Sequence, residues 1–241
     1  MISVISLGGS IVAPKTVDEN FVRNFALLIQ TIVEADSKRR FIIVVGGGGP
    51  ARQWQHMYRS ICGDKATDDQ ADWIGIMATR LNAQLIKAVF GSICPDAVVV
   101  DPTTVEKWSG HILVAAGWKP GFSSDYDAVL LAEQFNAQVV YNLSNIEKVY
   151  TADPRLHAEA RPIDYISWNE FQNIVGTVWT SGLQVPFDPV ASQHAAALGL
   201  TVICAAGKNL ATIQALLEGK PFVGTVIGST REQYVVHTES G

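Results

Sequence analysis

The sequence predicts an α/β protein whose mainly parallel central sheet is covered by helices on both faces. Short apolar runs rich in β-branched residues recur along the chain, and glycine-bearing turns follow several of them. Several of those turns lead into segments with a capping residue and helical periodicity. Because parallel strands need crossover connections, this alternation indicates a parallel sheet in a three-layer sandwich.

The composition is that of a globular protein. Of the 241 residues, 48% are hydrophobic and 17% are charged, which excludes disordered, collagen-like and coiled-coil chains. The formal net charge is -5, so broad electrostatic binding to nucleic acid or to an anionic membrane is not expected. Any phosphate-binding site must therefore be local.

Cysteine usage and the absence of targeting patterns favour a cytoplasmic location. The three cysteines include no CxxC pair, and the five histidines show no metal-ligand spacing, so neither a disulfide framework nor a protein-held metal is expected. The first residues lack a basic, then apolar leader, and no apolar run is long enough to span a membrane.

The first two strands are predicted by apolar runs that stop at glycines. The run Ile2–Leu7 predicts a central strand entering a tight turn, and residues 41–45 predict a second strand closed by four glycines. Thr16 and Glu19 have capping-box spacing before an amphipathic helix. Pro50 occupies the expected first position of the next helix.

The middle of the chain continues the alternation of helices and strands. Thr67 and Gln70 have capping-box spacing, and Asp72 lies early in the helix that follows. Residues 97–100 and 112–116 predict two further strands. The inward positions of the helix are predicted to be Ile74, Met77, Leu81 and Leu85.

A cap signal at residues 123–125 predicts the next helix, followed by a strand at 139–143. From about residue 144 several prolines interrupt the pattern before a helix at 191–198 and a strand at 201–204. We expect two lobes, residues 1–143 and 144–241, that share one continuous sheet, because no flexible linker separates them.

Three glycine-bearing turns each follow an apolar strand: residues 8–10, 46–49 and 117–125. In a parallel sheet these turns share the carboxyl edge, where ligands bind. Glycine lets backbone N–H groups approach an anion, and a helix N-terminus adds a favourable dipole. The turns therefore predict a polyphosphate site, although tight packing alone also explains any one of them.

Two known phosphate motifs fit these turns poorly. The string G-x-x-x-x-G-K-[ST] does not occur, which disfavours a P-loop protein. Gly46, Gly48 and Ala51 fit a loose G-x-G-x-x-A pattern, but the acidic residue that a dinucleotide fold needs at the end of its next strand does not follow. A dinucleotide-binding fold is thus a weak alternative.

Seven strings spread along nearly the whole chain indicate a family. They are S-L-G-G-S at 6–10, V-V-G-G-G-G-P-A-R at 44–52, D-W-I-G-I-M-A-T-R-L-N-A at 72–83, P-G-F-S-S-D at 120–125, S-N-I-E-K-V-Y-T-A-D-P at 144–154, F-D-P-V-A at 187–191 and G-T-V-I at 224–227. In order and spacing the chain resembles the amino acid kinase family, most closely its archaeal-type uridylate (UMP) kinases. The resemblance implies transfer of the γ-phosphoryl group of ATP, with Mg²⁺, to a nucleoside monophosphate.

The resemblance also assigns roles to residues. It implies that Gly9 and Ser10 cradle the ATP phosphates, with Gly48 and Arg52 beside the transferring group, and that Ser10, Arg52 and Asp125 are catalytic. The residues themselves leave open whether Asp125 orients Mg²⁺, a hydroxyl group or the helix end. The implied nucleoside side of the ATP site comprises Ser144, Asn145, Tyr150 and Asp153. The implied acceptor site comprises Gly47, Asp72, Trp118, Lys119, Pro120, Gly121, Phe122, Ser123 and Ser124.

Two departures from the family pattern bear on activity. Glu147 and Lys148 replace a usual Asp-Gly turn, which costs on the order of 1 kcal/mol if residue 148 needs a positive φ, or else reshapes the turn. Trp118 and Lys119 stand where smaller or different polar residues are usual. The hypotheses are a UMP kinase, a nucleotide or oxyanion storage protein of molybdate type, and a kinase with another small acceptor. The resemblance further implies a homo-oligomer built from dimers, up to a hexamer.

Overall fold

The computed structural model describes residues 2–176, 178, 185–228, 234 and 236. The strands are β1 Ile2–Leu7, β2 Arg40–Val45, β3 Ile112–Ala115, β4 Val139–Ser144, β5 Val149–Tyr150, β6 Pro162–Ile163, β7 Tyr165–Ile166, β8 Thr201–Ala206 and β9 Thr225–Ile227. The helices are α1 Gly9–Val12, α2 Glu19–Ala35, α3 Gly48–Cys62, α4 Asp68–Phe90, α5 Ser124–Gln134, α6 Trp168–Val175, α7 Pro189–Ala197 and α8 Leu210–Leu217. Short 3₁₀ turns lie at Gly63–Lys65 and Gly91–Ile93.

Seven of these strands form one sheet in the order β3-β2-β1-β4-β8-β9-β7. The first five strands in this order are mutually parallel, whereas β9 runs antiparallel to β8. Strands β5 and β6 form a separate antiparallel pair. The predicted mainly parallel sheet is therefore confirmed, with an antiparallel addition at one side.

Two apolar cores cover the two faces of the sheet, because successive strand residues point to opposite sides. Ile5, Ile43 and Val114 pack with the helices α2, α4 and α8 in one core. Val4, Ile42 and Leu113 pack with α5, α6 and α7 in the other. Burial on both faces explains why the strands read as continuous apolar runs and not as alternating ones.

The predicted helix starts are correct in part. Thr67 and Ser123 cap α4 and α5 through their side chains, as their spacing predicts. The cap of α2 is Asp18 and not Thr16, because the Asp18 carboxylate accepts the Phe21 N–H. Helix α3 begins at Gly48, two residues before Pro50. Among the described residues, none of the helices has the length and apolar character needed to cross a membrane.

Two other predictions are wrong. Residues 97–100 form no strand and contribute one bridge, Val99 to Ala115, so this segment only flanks the edge strand β3. The predicted inward face of α4 is not its buried face: Met77 and Leu81 are exposed, and Ile74 and Leu85 are only partly buried. Helix α4 instead buries Ala71, Gly75, Ile76, Asn82, Ala83, Ile86 and Phe90. The helix is apolar on two faces, so periodicity alone selected the wrong one.

Candidate active site

The turns that follow β1, β2 and β4 meet at the carboxyl edge of the sheet. The Gly8 N–H donates to Leu143 O at 2.9 Å, and the Gly46 N–H donates to Leu7 O at 3.0 Å. The Gly207 N–H, after β8, donates to Ser144 O at 2.7 Å. Strands β1, β2 and β3 are also parallel neighbours, so the three glycine-bearing turns that follow them lie at one edge of the sheet, as the sequence predicted.

The first two glycine turns pack backbone against backbone. A β-carbon on residue 9 would lie 2.6 Å from Gly47 N and would overlap Gly48 N. Gly48 has φ +68, and a β-carbon there would lie 2.7 Å from the Gly9 carbonyl carbon. Since real β-carbons do not approach backbone so closely, only glycine fits at both positions.

Helices α1 and α3 differ from the other described helices at their N-termini. The residues before them, Gly8 and Gly47, provide no side-chain cap. Each of the other six described helices is capped by an Asp, Thr, Ser or Asn side chain. The first backbone N–H groups of α1 and α3 therefore face no capping side chain, and a phosphate oxygen can take that place.

Two of the predicted catalytic residues lie together at these turns. Arg52, in the first turns of α3, donates from Nη1 to Ser10 Oγ at 3.4 Å. The Arg52 side chain is exposed, so its guanidinium remains accessible to an anion. A planar guanidinium beside uncapped N–H groups is suited to binding phosphate oxygens in pairs.

Helix α4 supports the second glycine turn through Asn82, which the sequence analysis did not assign. The buried Asn82 amide donates to Gly46 O at 2.9 Å and to Gly47 O at 3.1 Å. With these carbonyl oxygens held on the helix side, the turn has a fixed orientation. In the sequence, Asn82 lies in the family-like string at residues 72–83, but nothing in that string assigns it a role.

Helix α4 also holds the loop that follows β3. The Gly117 N–H donates to Thr79 Oγ1 at 2.8 Å, and Arg80 donates to Gly117 O at 3.4 Å and to Trp118 O at 3.0 Å. At the other end of the loop, the Gly121 N–H donates to Asp72 Oδ2 at 3.0 Å. The structure thus brings Asp72 together with the predicted acceptor loop, and Thr79 and Arg80 are additions to it.

The acceptor loop carries aromatic rings and one cation. The ring centroids of Trp118 and Phe122 lie 5.2 Å apart, and Lys119 Nζ lies 3.7 Å from the centroid of Trp118. Pro120 is half-buried, and the following glycine has φ +84. Ser123 caps α5 by accepting the Tyr126 N–H, and Ser124 is the first residue of that helix.

Asp125 lies between β1 and the start of α7. Its Oδ1 accepts the Ser6 hydroxyl at 2.9 Å, and its Oδ2 accepts the Asp188 N–H at 3.2 Å. Burial, and then the neighbouring Asp188 carboxylate, raise the pKa of Asp125 to about 6, against the opposing hydrogen bond from Ser6. Each oxygen accepts one hydrogen bond from the protein, so Asp125 joins the first turn of α5 to β1 and to the residue before α7.

The predicted nucleoside side of the site is less closely joined. Ser144 ends β4 beside Gly207 and accepts the Ile146 N–H at 3.4 Å. Asp153 forms an ion pair with Arg155 at 2.8 Å, and the Arg155 hydrogen bonds lower the pKa of Asp153 to about 2. Within the described part of the chain, no hydrogen bond or ion pair links Asn145, Tyr150 or Asp153 to the glycine turns.

Lys148 fits its position without backbone strain. The only non-glycine residue with positive φ among those described is Asn136, so residue 148 does not require glycine. The Lys148 side chain is buried and donates to Asp164 Oδ1 at 2.6 Å. The turn therefore accommodates Lys148 with an ordinary φ, and the Lys148 side chain fastens it to Asp164 between β6 and β7.

The donor set does not form a metal cage. Across the ranges that the structure describes, no three Asp, Glu, His or Cys side chains lie close enough together to hold a metal ion. A magnesium ion prefers several oxygen ligands and usually binds together with substrate phosphates.

The fold and the site define a three-layer α/β protein with closely packed glycine turns at the carboxyl edge of its sheet, the edge at which proteins of this architecture bind ligands. The chain belongs to the amino acid kinase family, whose family model matches residues 1–205.

The similar proteins include several archaeal enzymes. A uridylate kinase from Methanospirillum hungatei is 33% identical over 227 residues, which is 93% of each chain. The crystal structure of uridylate kinase from Archaeoglobus fulgidus has a TM-score of 0.79 and 32% identity, and it covers 95% of this chain and 100% of that one. The UMP kinase from Bacillus anthracis, at 21% identity and a TM-score of 0.72, covers 94% and 95% and shares the fold.

Proposed function

We propose that this protein is a uridylate kinase, which transfers the γ-phosphoryl group of ATP to the phosphate of UMP. The observation that carries the proposal is the meeting of two uncapped, interlocked glycine turns with Arg52 at one sheet edge. The archaeal relatives, similar over nearly their whole length, support UMP as the acceptor.

The chemistry needs positioning and charge stabilisation more than covalent catalysis. The N–H groups at Gly9, Ser10 and Gly48 donate to ATP phosphate oxygens, and Arg52 stabilises the negative charge on the transferring group. The acceptor phosphate is already an oxyanion, so no strong general base is required. A Mg²⁺ ion held by the ATP phosphates would neutralise part of their negative charge.

Asp125 acts through the hydroxyl group that it holds. Ser6 lies near the end of β1, and its hydroxyl donates to the Asp125 carboxylate. Because Asp188 also contacts Asp125, this carboxylate ties the start of α5 to β1 and α7. We assign Asp125 the role of orienting this end of α5, at which Ser123 and Ser124 receive the acceptor phosphate.

The acceptor nucleotide lies between the loop after β3 and the first turns of α4. Asp72 accepts the Gly121 N–H with one carboxylate oxygen, and a carboxylate can accept further bonds from ribose hydroxyls. Gly47 lies beside Thr79, which accepts the Gly117 N–H of the same loop. Ser144, Asn145, Tyr150 and Asp153 form the nucleoside side of the ATP site in this proposal.

A coupled assay of ADP release tests the function directly. With ATP and Mg²⁺ we expect turnover with UMP to exceed that with CMP, GMP or AMP. Absence of ADP release above background with all four acceptors would exclude the kinase. Preference for another nucleotide would retain the reaction and change the acceptor.

The storage alternative depended on the replacement at residues 147 and 148. Since Lys148 adopts a normal φ and a buried ion pair, the replacement no longer argues against nucleotide binding. Mass spectrometry of the natively purified protein tests this alternative, because a metal oxyanion cluster would support storage and bound UMP or UDP the kinase.

We also infer a homo-oligomer in the cytoplasm. Trp54, Met57 and Ile61 on α3 are exposed at helical spacing, as are Met77 and Leu81 on α4. Exposed apolar side chains repeated on one face of each helix are typical of an interface. The cysteines at 62, 94 and 204 are free thiols, which suits a reducing compartment.

A further inference from the structure

A buried carboxyl group lies behind the acceptor loop. Asp127, in the first turns of α5, has no exposed surface, and its Oδ2 accepts the Trp118 N–H at 3.2 Å. Its other oxygen, Oδ1, is buried without a hydrogen-bond partner among the described residues. A buried, incompletely bonded acid is costly, so its presence calls for a physical cause.

Among the described residues, side chains provide the hydrogen bonds to the backbone N–H and C=O groups of Gly117 and Trp118. Thr79 accepts the Gly117 N–H, Asp127 accepts the Trp118 N–H, and Arg80 donates to both carbonyl oxygens. Three of these four hydrogen bonds come from α4, and Asp127 supplies the one contact from α5. Asp127 therefore determines whether the Trp118 end of the loop stays joined to the helix that carries Ser123 and Ser124.

We propose that Asp127 is a positioning residue for acceptor binding. It holds the Trp118 N–H and thereby fixes the positions of the Trp118 and Phe122 rings in the loop after β3. The proposal rests on the proposed function of this loop as the acceptor site. Trp118 and Phe122 pack against each other, and Phe122 packs against Tyr126 of α5 at 4.9 Å. A displaced Trp118 backbone would shift this row of rings.

The protonation state of Asp127 determines which variant imitates it. Burial raises the pKa of Asp127 to about 8, the Trp118 N–H opposes this rise, and the carboxylates of Asp125 and Asp101 add to it. Arg80 is the positive group that faces it. The side chain is thus a neutral acid at pH 7, and Asn has nearly the same shape and the same carbonyl acceptor.

The test compares Asp127→Ala with Asp127→Asn in the full-length protein. We expect Asp127→Ala to raise the KM for UMP about tenfold or more while the KM for ATP changes less than threefold, because only the acceptor side loses a contact. Asp127→Asn should recover most of the affinity for UMP. Asp36→Ala is the matched control, and neither KM value should change in it. Asp36 also accepts a backbone N–H, but it is exposed and lies at the end of α2, distant in sequence from Asp127.

A second measurement keeps the two proposals separate. Amide hydrogen exchange across residues 117–122, followed without substrate, should be faster in Asp127→Ala and close to that of the original protein in Asp127→Asn. Equal exchange and equal KM for UMP in all three proteins would overturn the role of Asp127 even if the kinase is active. Equal rises of both KM values in Asp127→Ala would overturn it as well, because they would show general destabilisation.

Discussion

At the scale of residues, the candidate site depends on glycines, which have no side chain, as much as on its polar side chains. Gly9 and Gly48 bring two loops into backbone contact, which places the main chains of the two turns next to each other. Sequence reasoning found these glycines, because a run of glycines directly after an apolar strand is a local pattern. It missed Asn82, Thr79 and Arg80, whose partners are backbone atoms of distant segments and leave no local pattern.

The contact between the turns predicts a severe effect of a single methyl group. Gly9→Ala should lower the free energy of unfolding by about 3 kcal/mol or more, because the β-carbon meets backbone that cannot give way. Gly219→Ala is the control: φ is +68 there but the space is open, so roughly 1 kcal/mol is expected. Urea unfolding measures both values, and equal losses would contradict the interlocked geometry.

Arg52 should affect the rate and not the fold. Because its side chain is exposed and donates to Ser10, Arg52→Ala should reduce kcat on the order of 10²-fold or more at unchanged thermal stability. Arg59→Ala on the same helix removes only an exposed ion pair with Asp68 and should leave kcat unchanged. Steady-state kinetics with UMP and ATP would contradict the assignment if the two variants behaved alike.

Asp127 predicts a pH dependence of stability. Its folded-state pKa is raised to about 8 from 3.8, so the stability that it contributes is complete below about pH 4 and is lost as the pH rises toward 8. Asn does not titrate. The stability of Asp127→Asn relative to the original protein should therefore increase by a few kcal/mol between pH 5 and pH 8. Thermal unfolding at both pH values measures it, and a constant difference would contradict the raised pKa.

At the scale of elements, α4 is the helix on which both halves of the site depend. Its first turns hold Gly121 through Asp72, its middle holds residues 117 and 118, and Asn82 holds the second glycine turn. The capping box predicted its start, but the inward face was wrong because the helix is apolar on two sides. Where two faces compete, packing against the sheet decides between them, and that packing is not local information.

For the strands too, local sequence predicts some elements, whereas others depend on pairing with segments distant in the chain. Five strands of the parallel sheet were predicted from apolar runs and turn residues, since a strand buried on both faces has a distinctive composition. Residues 97–100 have that composition too, yet they make only one bridge, because they lie outside the edge strand β3 with no second neighbour. The short strands β5, β6 and β7 exist through their pairing and have no signal of their own.

At the scale of the whole molecule, the chain exposes an apolar surface that a monomer does not need. Ile61 is 80% exposed and Leu81 is 73% exposed, on helices that pack against each other beside the site. Interfaces between copies commonly cover such faces. Met77 and Leu81 of α4, which the sequence predicted to face the core, are exposed in the single chain. A second copy of the protein packed on this face would bury them.

The oligomer is tested by charge on this surface. Ile61→Lys combined with Leu81→Glu should shift the protein from an oligomer to a monomer in size-exclusion chromatography with light scattering. Leu156→Glu is the control, because Leu156 is similarly exposed but lies in the loop between β5 and β6. A monomeric original protein at micromolar concentration, or an unchanged mass in the double variant, would contradict the interface.

Two parts of the candidate site are held in different ways: the glycine turns by main-chain contacts, and the loop after β3 by side-chain hydrogen bonds. The glycine turns after β1 and β2 pack main chain against main chain, so a side chain at Gly9 or Gly48 is expected to destabilise the fold. The loop after β3 is held through hydrogen bonds between its backbone and the side chains of Thr79, Arg80 and Asp127. In the proposed function, replacing one of these side chains changes acceptor binding and leaves the main-chain contact between Gly9 and Gly48 intact.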